Sequence, residues 1–125
     1  MYHDFLWPLH RELAKAIRGP LILHICGDTL DRIPWISRSG MACYHFESKV
    51  SAAKARWAAG DRIALMGNIN NPRTLLGGTP DDIAREVEAC LLSGIEIIGP
   101  ECAVPLTTPT VNLQALEMAA RGIVG

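Results

Sequence analysis

The segment GPLILHIC, residues 19–26, sets a pattern that recurs along the chain. It begins with a glycine, continues as a short and largely apolar run, and ends in residues whose side chains can bind metals or take part in catalysis. The same order follows Gly40, Gly60 and Gly94. Such runs are typical of strands that are buried on both faces, as in a parallel sheet. The glycines suit the left-handed residue that commonly ends a helix. The pattern therefore predicts four strands, each preceded by a helix.

Amphipathic segments separate these runs and predict the helices. In the first segment the apolar residues recur at helical spacing: Leu6, Leu9, Leu13, Ala16 and Ile17. Thr79 to Asp82 predicts a helix start, with threonine as the cap, proline in the first turn and acids where the helix dipole favours them. The face expected to be buried there consists of Ile83, Val87, Cys90 and Leu91. Thr108-Pro109 begins the last predicted helix, which runs to about Arg121.

This order of elements predicts an α/β fold within a single domain, residues 1–125. A leading helix, residues 1–18, is followed by four βα units over residues 19–125, with parallel strands joined by right-handed crossovers. A TIM barrel closes with eight such units, over about 250 residues. Four units alone leave two unpaired sheet edges, which proteins usually cover. We therefore expect a second chain or copy to complete a barrel.

Composition narrows the class of protein. The chain has 125 residues, of which 49% are apolar and 20% charged, so disorder is excluded. The net charge of −1 and the absence of basic runs argue against nucleic acid or an anionic membrane as a partner. No apolar stretch approaches the roughly 18 residues of a spanning helix, and the N-terminus lacks the layout of a secretory signal. We expect a cytoplasmic protein whose four cysteines are reduced.

The predicted strand ends carry the residues most able to bind a metal. Parallel α/β folds concentrate function at the carboxyl ends of their strands. The first strand ends in His24 and Cys26, which share a face because they are two residues apart. The second carries Cys43, His45 and Glu47, and Cys102 follows the fourth. Imidazole, thiolates and a carboxylate that converge on one rim are ligands that zinc prefers.

A structural role remains the alternative for several of these side chains. A single buried cysteine behaves as a small hydrophobic residue, and His-x-Cys alone is a weak motif. Cys43 and His45 are rival ligands, but they should lie deeper in their strand than Glu47, which favours core packing. Cys90 falls on the buried face of a helix. We expect His3 and His10 at the surface of the first helix.

Several segments together resemble a known family. They are HICGDT (24–29), FESK (46–49), LMGNI (65–69), PEC (100–102), Thr108-Pro109 and Asn112. From about residue 20 to 122 the chain is similar to the C-terminal half of the methylcobamide:coenzyme M methyltransferases, TIM barrels of the uroporphyrinogen decarboxylase superfamily. In this family the usual last loop is Pro-Gly-Cys-Gly, whereas this chain has PECA at 100–103.

The resemblance implies a zinc enzyme that moves a methyl group from a methylated corrinoid protein to a thiol such as coenzyme M. It assigns the zinc ligands to His24, Cys26 and Cys102, with Glu47 filling the fourth position when the thiol is absent. Glu47 and Asp28 would act in catalysis, with Asp28 orienting His24 or a neighbouring loop. Asn68 and Asn112 would contact the methylcobamide cofactor. Two thiolates and a neutral imidazole would neutralise Zn²⁺ and leave one position open.

Two other functions are compatible with the sequence. A uroporphyrinogen decarboxylase would need arginines for the carboxylates of its substrate, yet Arg56, Arg62 and Arg73 do not fall together at the predicted strand ends. A half-barrel that binds zinc or a sister chain without turnover is the second alternative.

Overall fold

The structure, a computed structural model, describes residues 1–122 as strands alternating with helices. The strands are β1 (Ile22–Ile25), β2 (Cys43–Phe46), β3 (Ala64–Ile69) and β4 (Ile97–Pro100). The helices are α1 (Tyr2–Ala16), α2 (Ile33–Ile36), α3 (Ala52–Ala59), α4 (Pro80–Leu92) and α5 (Thr110–Ala120), with a π-helical segment at Asn71–Leu76. The predicted α/β order, one leading helix and four βα units, is confirmed.

All four strands form one parallel sheet in the order β1-β2-β3-β4. The register pairs His24 of β1 with His45 of β2, and Met66 of β3 with Ile97 of β4. Parallel strands in this register end at the same side of the sheet. The loops that follow them therefore meet along one rim.

The core lies between the sheet and its helices. Its largest fully buried side chains include eight from β2, β3, α2 and α4: Tyr44, Phe46, Leu65, Ile69, Ile33, Ile36, Ile83 and Val87. Burying one such side chain contributes roughly 1.5–3 kcal/mol relative to leaving it in water. This packing fixes the strands to the helices and so fixes the positions of the loops at the rim.

The predicted start of α4 is confirmed in detail. The Thr79 hydroxyl accepts a hydrogen bond from the Asp82 amide, and the Asp82 carboxylate accepts one from the Thr79 amide. Together they make a capping box, with Pro80 in the first turn.

Helix α3 ends at Ala59, and a glycine follows it. Gly60 has a positive φ of 59°, which glycine adopts more easily than any other residue. The chain then turns into β3.

The apolar stripe of α1 does not pack into this core. Leu6, Leu9 and Leu13 are about half exposed, and Leu91 of α4, expected to be buried, is 45% exposed. Helix α1 is instead attached through Trp7, whose Nε1 donates to the Trp35 carbonyl oxygen at 2.7 Å. Helical spacing identifies an apolar face, but it does not say which surface that face meets.

Each outer strand has one neighbour among the described residues. In that part of the chain β1 pairs only with β2, and β4 only with β3. Within residues 1–122 no helix has the length and apolar character needed to cross a membrane.

Candidate metal centre

Three side chains converge where β1 and β4 end. His24 lies on β1, Cys26 follows it, and Cys102 follows β4. The Nε2 atom of His24 lies 3.1 Å from the Cys26 Sγ, which lies 3.4 Å from the Cys102 Sγ. All three candidate ligand atoms lie within 4.8 Å of one another, and within residues 1–122 no other set of three His, Cys, Asp or Glu side chains does so. The structure thus brings together the three residues that the sequence analysis paired with zinc.

The backbone of β2 fixes the imidazole of His24. Its Nδ1 lies 3.1 Å from the carbonyl oxygen of His45, the residue paired with it in the sheet. Because a carbonyl can only accept, Nδ1 carries the proton and Nε2 presents its lone pair to the two cysteines. A carbonyl behind the ring is the arrangement that orients histidine ligands in metal sites.

Contact with Cys102 disfavours ionisation of the Cys26 thiol. The hydrogen bond to Cys102 raises the pKa of the Cys26 thiol, and desolvation and the negative charges of Cys102 and Glu47 act in the same direction. Two thiolates in contact would repel each other unless a cation lay between them. A divalent cation deprotonates thiols that coordinate it. The donor set therefore fits zinc, which prefers thiolate and imidazole ligands.

Glu47 and Asp28 border this cluster without joining it. The Glu47 Oε2 accepts the amide of Gly27, next to Cys26, and its Oε1 lies 3.8 Å from the Lys49 Nζ. The Asp28 carboxylate accepts the amide of Leu30 in its own loop, while the His45 carbonyl holds His24. The roles of Glu47 and Asp28 in catalysis stay predictions.

The rival ligands Cys43 and His45 lie outside the cluster. Burial raises the pKa of the Cys43 thiol, whose side chain is 4% exposed. Burial also lowers the pKa of His45, so the ring is held neutral, and its Nε2 donates to the Pro100 carbonyl oxygen at 2.7 Å. His45 thereby connects β2 to the end of β4, beside the start of the Cys102 loop.

Asn68 and Asn112, predicted to contact the cofactor, make buried hydrogen bonds. The Asn68 amide donates to the Val50 carbonyl oxygen at 2.7 Å and accepts the Cys90 thiol. The Asn112 amide donates to the carbonyl oxygens of Leu75 and Gly78, which ties α5 to the π-helical segment and the loop after it. Their roles in cofactor binding stay predictions.

Two residues to which the sequence analysis gave no role hold the Cys102 loop. Glu101 is 5% exposed, and its carboxylate accepts the amides of Ser48 and Asn71. The Asn71 side chain donates to the Ala103 carbonyl oxygen. The one signal in the sequence is an acidic residue directly before Cys102, where a short apolar run ends.

Of the three arginines that the sequence analysis considered, only Arg73 follows a strand at the rim. Arg56 bonds the carbonyl oxygens of Gly60, Ile63 and Gly94 and the carboxylate of Glu96, all of which precede β3 or β4. These contacts place Arg56 at the opposite end of the sheet from Cys102. Arg62 donates to the Ser37 hydroxyl, and Arg73 is exposed.

Comparison with known proteins identifies relatives of this chain. The profile of the family described as uroporphyrinogen decarboxylase (URO-D) matches residues 1–123. A methylated-thiol–coenzyme M methyltransferase of Methanosarcina mazei is 36% identical over 120 residues, which are 96% of this chain and 32% of that protein. The methylcobamide:CoM methyltransferase MtaA of Methanosarcina barkeri is 33% identical over 119 residues, 94% of this chain and 35% of that protein.

A solved structure gives the same result. A methyltransferase from Methanosarcina mazei superimposes with a TM-score of 0.92 at 31% identity, covering 97% of this chain and 36% of that chain. The predicted resemblance and the relation to a TIM barrel are confirmed. The chain spans about a third of the length of the relatives it matches.

Proposed function

The chain belongs to the uroporphyrinogen decarboxylase family, and on that premise we propose that it is the zinc-bearing part of a methyltransferase. The reaction we propose moves a methyl group from a methylated corrinoid protein to a thiol such as coenzyme M. One observation carries this proposal: the imidazole and two thiols of His24, Cys26 and Cys102 meet within 4.8 Å at the rim of the sheet. The names of the relatives support the donor and the acceptor.

His24, Cys26 and Cys102 would hold the metal. When bound there, Zn²⁺ would supply Lewis acidity that keeps an acceptor thiol deprotonated and able to attack the methyl group. Two thiolates balance the charge of the ion, which leaves the site without excess positive charge to weaken the nucleophile. Three protein ligands also leave one position for the acceptor.

The surrounding residues would prepare this site. The His45 carbonyl keeps His24 in the tautomer that binds a metal through Nε2. Glu47, which is hydrogen-bonded to the amide after Cys26, would occupy the fourth position when no thiol is present and yield it to a substrate of the same charge. Asp28 orders the loop that follows Cys26 through the Leu30 amide.

Two partners follow from this proposal. A methylcobamide-carrying corrinoid protein would bring the methyl group to the rim. A second chain or copy would pair with the outer strands β1 and β4 and complete the barrel. We place the reaction in the cytoplasm, where free thiols stay reduced.

The position of Arg56 gives no support to decarboxylase chemistry in this chain. That reaction needs cations near the substrate's carboxylates, whereas Arg56 is bonded to backbone carbonyls far from the rim. A zinc-binding part without turnover differs from our proposal only in activity, so the experiment must measure metal and methyl transfer separately.

The test begins with the zinc content of the purified chain under reducing conditions. We expect about one zinc per chain, lost in His24→Ala/Cys26→Ala and retained in the control His10→Ala/Cys90→Ala, which removes the same residue types outside the cluster. Methyl transfer from methylcobalamin to coenzyme M is then measured with and without the remaining part of a relative's barrel. Retention of zinc by His24→Ala/Cys26→Ala would refute the assignment of the metal ligands. Bound zinc without transfer in the completed barrel would favour the alternative without turnover.

A further inference from the structure

Glu101 is a buried carboxylate that bonds backbone on two sides. Its Oε2 accepts the amide of Ser48, in the loop after β2, at 2.8 Å, and its Oε1 accepts the amide of Asn71, after β3, at 2.9 Å. Its own amide donates to the Ile69 carbonyl oxygen, which continues the pairing of β3 with β4 beyond the strands. An ionised carboxylate accepts such bonds well, and each is stronger than a bond between neutral groups. Glu101 therefore joins three loops of the rim at one point.

Asn71 holds the other side of the same loop. Its side-chain Nδ2 donates to the Ala103 carbonyl oxygen at 2.7 Å. The residue is 4% exposed, and its Oδ1 has no hydrogen-bond partner among residues 1–122. Leaving a buried acceptor unpaired costs roughly 1–3 kcal/mol. The hydrogen bond from Nδ2 to the Ala103 carbonyl oxygen gives a reason for an asparagine at this position despite the cost of its unpaired Oδ1.

Cys102 lies between these two attachments. We propose that Glu101 is a positioning residue that, together with Asn71, preorganises Cys102 beside Cys26 and His24 for metal binding. The inference rests on the proposed metal site and goes beyond it, because it assigns a role to a residue that is not a ligand. Without these bonds Cys102 would lie in an irregular loop, attached only by the strand before it and free to move its thiol away.

Glutamate and alanine stand on either side of Cys102. The loop is held at both of these positions, by the bonds of the Glu101 carboxylate on one side and by the bond from Asn71 to the Ala103 carbonyl oxygen on the other.

The first test uses the metal-free chain. Dibromobimane alkylates two neighbouring thiols in turn and bridges them, so its cross-linking rate reports whether Cys26 and Cys102 are in contact. Glu101→Gln keeps the shape of the side chain but turns an amide NH₂ toward a backbone N–H. We expect cross-linking several-fold slower than in the wild type. The matched control is Glu86→Gln, which alters a carboxylate that accepts the neighbouring Asn70 amide and does not touch the Cys102 loop.

Asn71→Ala gives a second variant that changes no charge. It removes the bond to Ala103 together with the unpaired Oδ1, so we expect native helix content by circular dichroism and slower cross-linking. This variant keeps the proposal testable if Glu101→Gln does not fold. Cys43 and Cys90 are buried and do not compete for the reagent.

The second test measures metal binding itself. Outer residues that orient ligands typically change metal affinity by about 10–100-fold, and we expect that loss of zinc affinity in Glu101→Gln and not in Glu86→Gln. Co²⁺ in place of zinc should show a weaker sulfur-to-metal absorption in the variant, a signature that a general loss of stability would not give. Cross-linking at the wild-type rate, or zinc affinity equal to wild type, would overturn the proposal. If the wild-type chain bound no zinc, the proposed function would fail, and the cross-linking of the metal-free chain would still decide whether Glu101 positions Cys102.

Discussion

The Sγ atoms of Cys26 and Cys102 lie 3.4 Å apart, although these residues follow the two outer strands of the sheet. In a flat sheet, strands that are three positions apart are separated by about 14 Å. The contact therefore requires the sheet to curve and its end loops to lean inward, as they do in a closed barrel. The curvature of β1 to β4 is what makes a site from residues that are 76 positions apart in the chain.

Replacing Cys102 tests this convergence. We expect Cys102→Ala to lose zinc, because two protein ligands rarely hold the ion. The fold should change little, since Cys102 lies in a loop outside the core. Elemental analysis gives the metal content, and circular dichroism gives the helix content.

The matched control is Cys43→Ala, which removes a cysteine at the start of β2. It lies outside the cluster, so its zinc content should equal that of the wild type. Loss of zinc from Cys43→Ala together with retention in Cys102→Ala would reverse the assignment of ligands.

Glu47 should affect the zinc affinity of the site only when the acceptor thiol is absent. Glu47→Gln removes the charge that would fill the fourth position, so we expect zinc affinity several-fold weaker than in the wild type. Saturating coenzyme M should abolish the difference, because the thiol then takes that position. Competition with a chromophoric chelator measures both affinities. Glu88→Gln, on the exposed face of α4, serves as the control, and an undiminished difference in the presence of thiol would contradict the exchange.

The sequence predicts the strands well because their signal is local. Each short apolar run after a glycine forms a strand, and the strand ends place His24, Cys26 and Cys102 at one rim. The expected burial on both faces does not hold for β1 and β4, which are partly exposed because each has only one neighbouring strand among residues 1–122. The register of β1 with β2 could not be read in this way. That register puts the His45 carbonyl behind the imidazole of His24.

The attachment of the Cys102 loop also escapes the sequence. Glu101 reads as an ordinary acidic residue after a strand, where most carboxylates are solvated. Its burial depends on the amides of Ser48 and Asn71, which belong to two other loops. A contact among distant segments of the chain leaves no periodic pattern in the sequence from which it could be predicted.

The capping box of α4 gives a prediction about pH. Hydrogen bonds from the Thr79 amide and hydroxyl hold the pKa of the Asp82 carboxyl below its usual value, with Arg85 acting in the same direction. Because the pKa is lower in the folded state, the ionised carboxylate stabilises the fold above its unfolded pKa of about 3.9. This stabilisation is lost as the pH falls through the folded value.

Asp82→Asn should therefore be less stable than the wild type at neutral pH, and the difference should shrink below about pH 3.9 as the wild-type carboxyl becomes protonated. Urea unfolding midpoints measured across this range check the expectation. Asp81→Asn is the control, since Asp81 is exposed in the same turn and makes no capping bond. A difference that stayed constant with pH would show that the charge of Asp82 does not stabilise the helix.

The exposed stripe of α1 predicts a contrast between two apolar substitutions. Leu9 is 53% exposed, whereas Ile83 of α4 is fully buried. We expect Leu9→Ala to lower the free energy of unfolding by less than about 1 kcal/mol, because little buried surface is lost and alanine favours a helix. Ile83→Ala should cost about 2–5 kcal/mol, since it removes buried carbons and leaves a cavity. Urea unfolding at two protein concentrations measures both. The contradicting outcome is that Leu9→Ala lowers the free energy of unfolding as much as Ile83→Ala does, and by more at the higher protein concentration. The apolar stripe of α1 would then be covered by another copy of the chain in solution, because only association makes its burial depend on concentration.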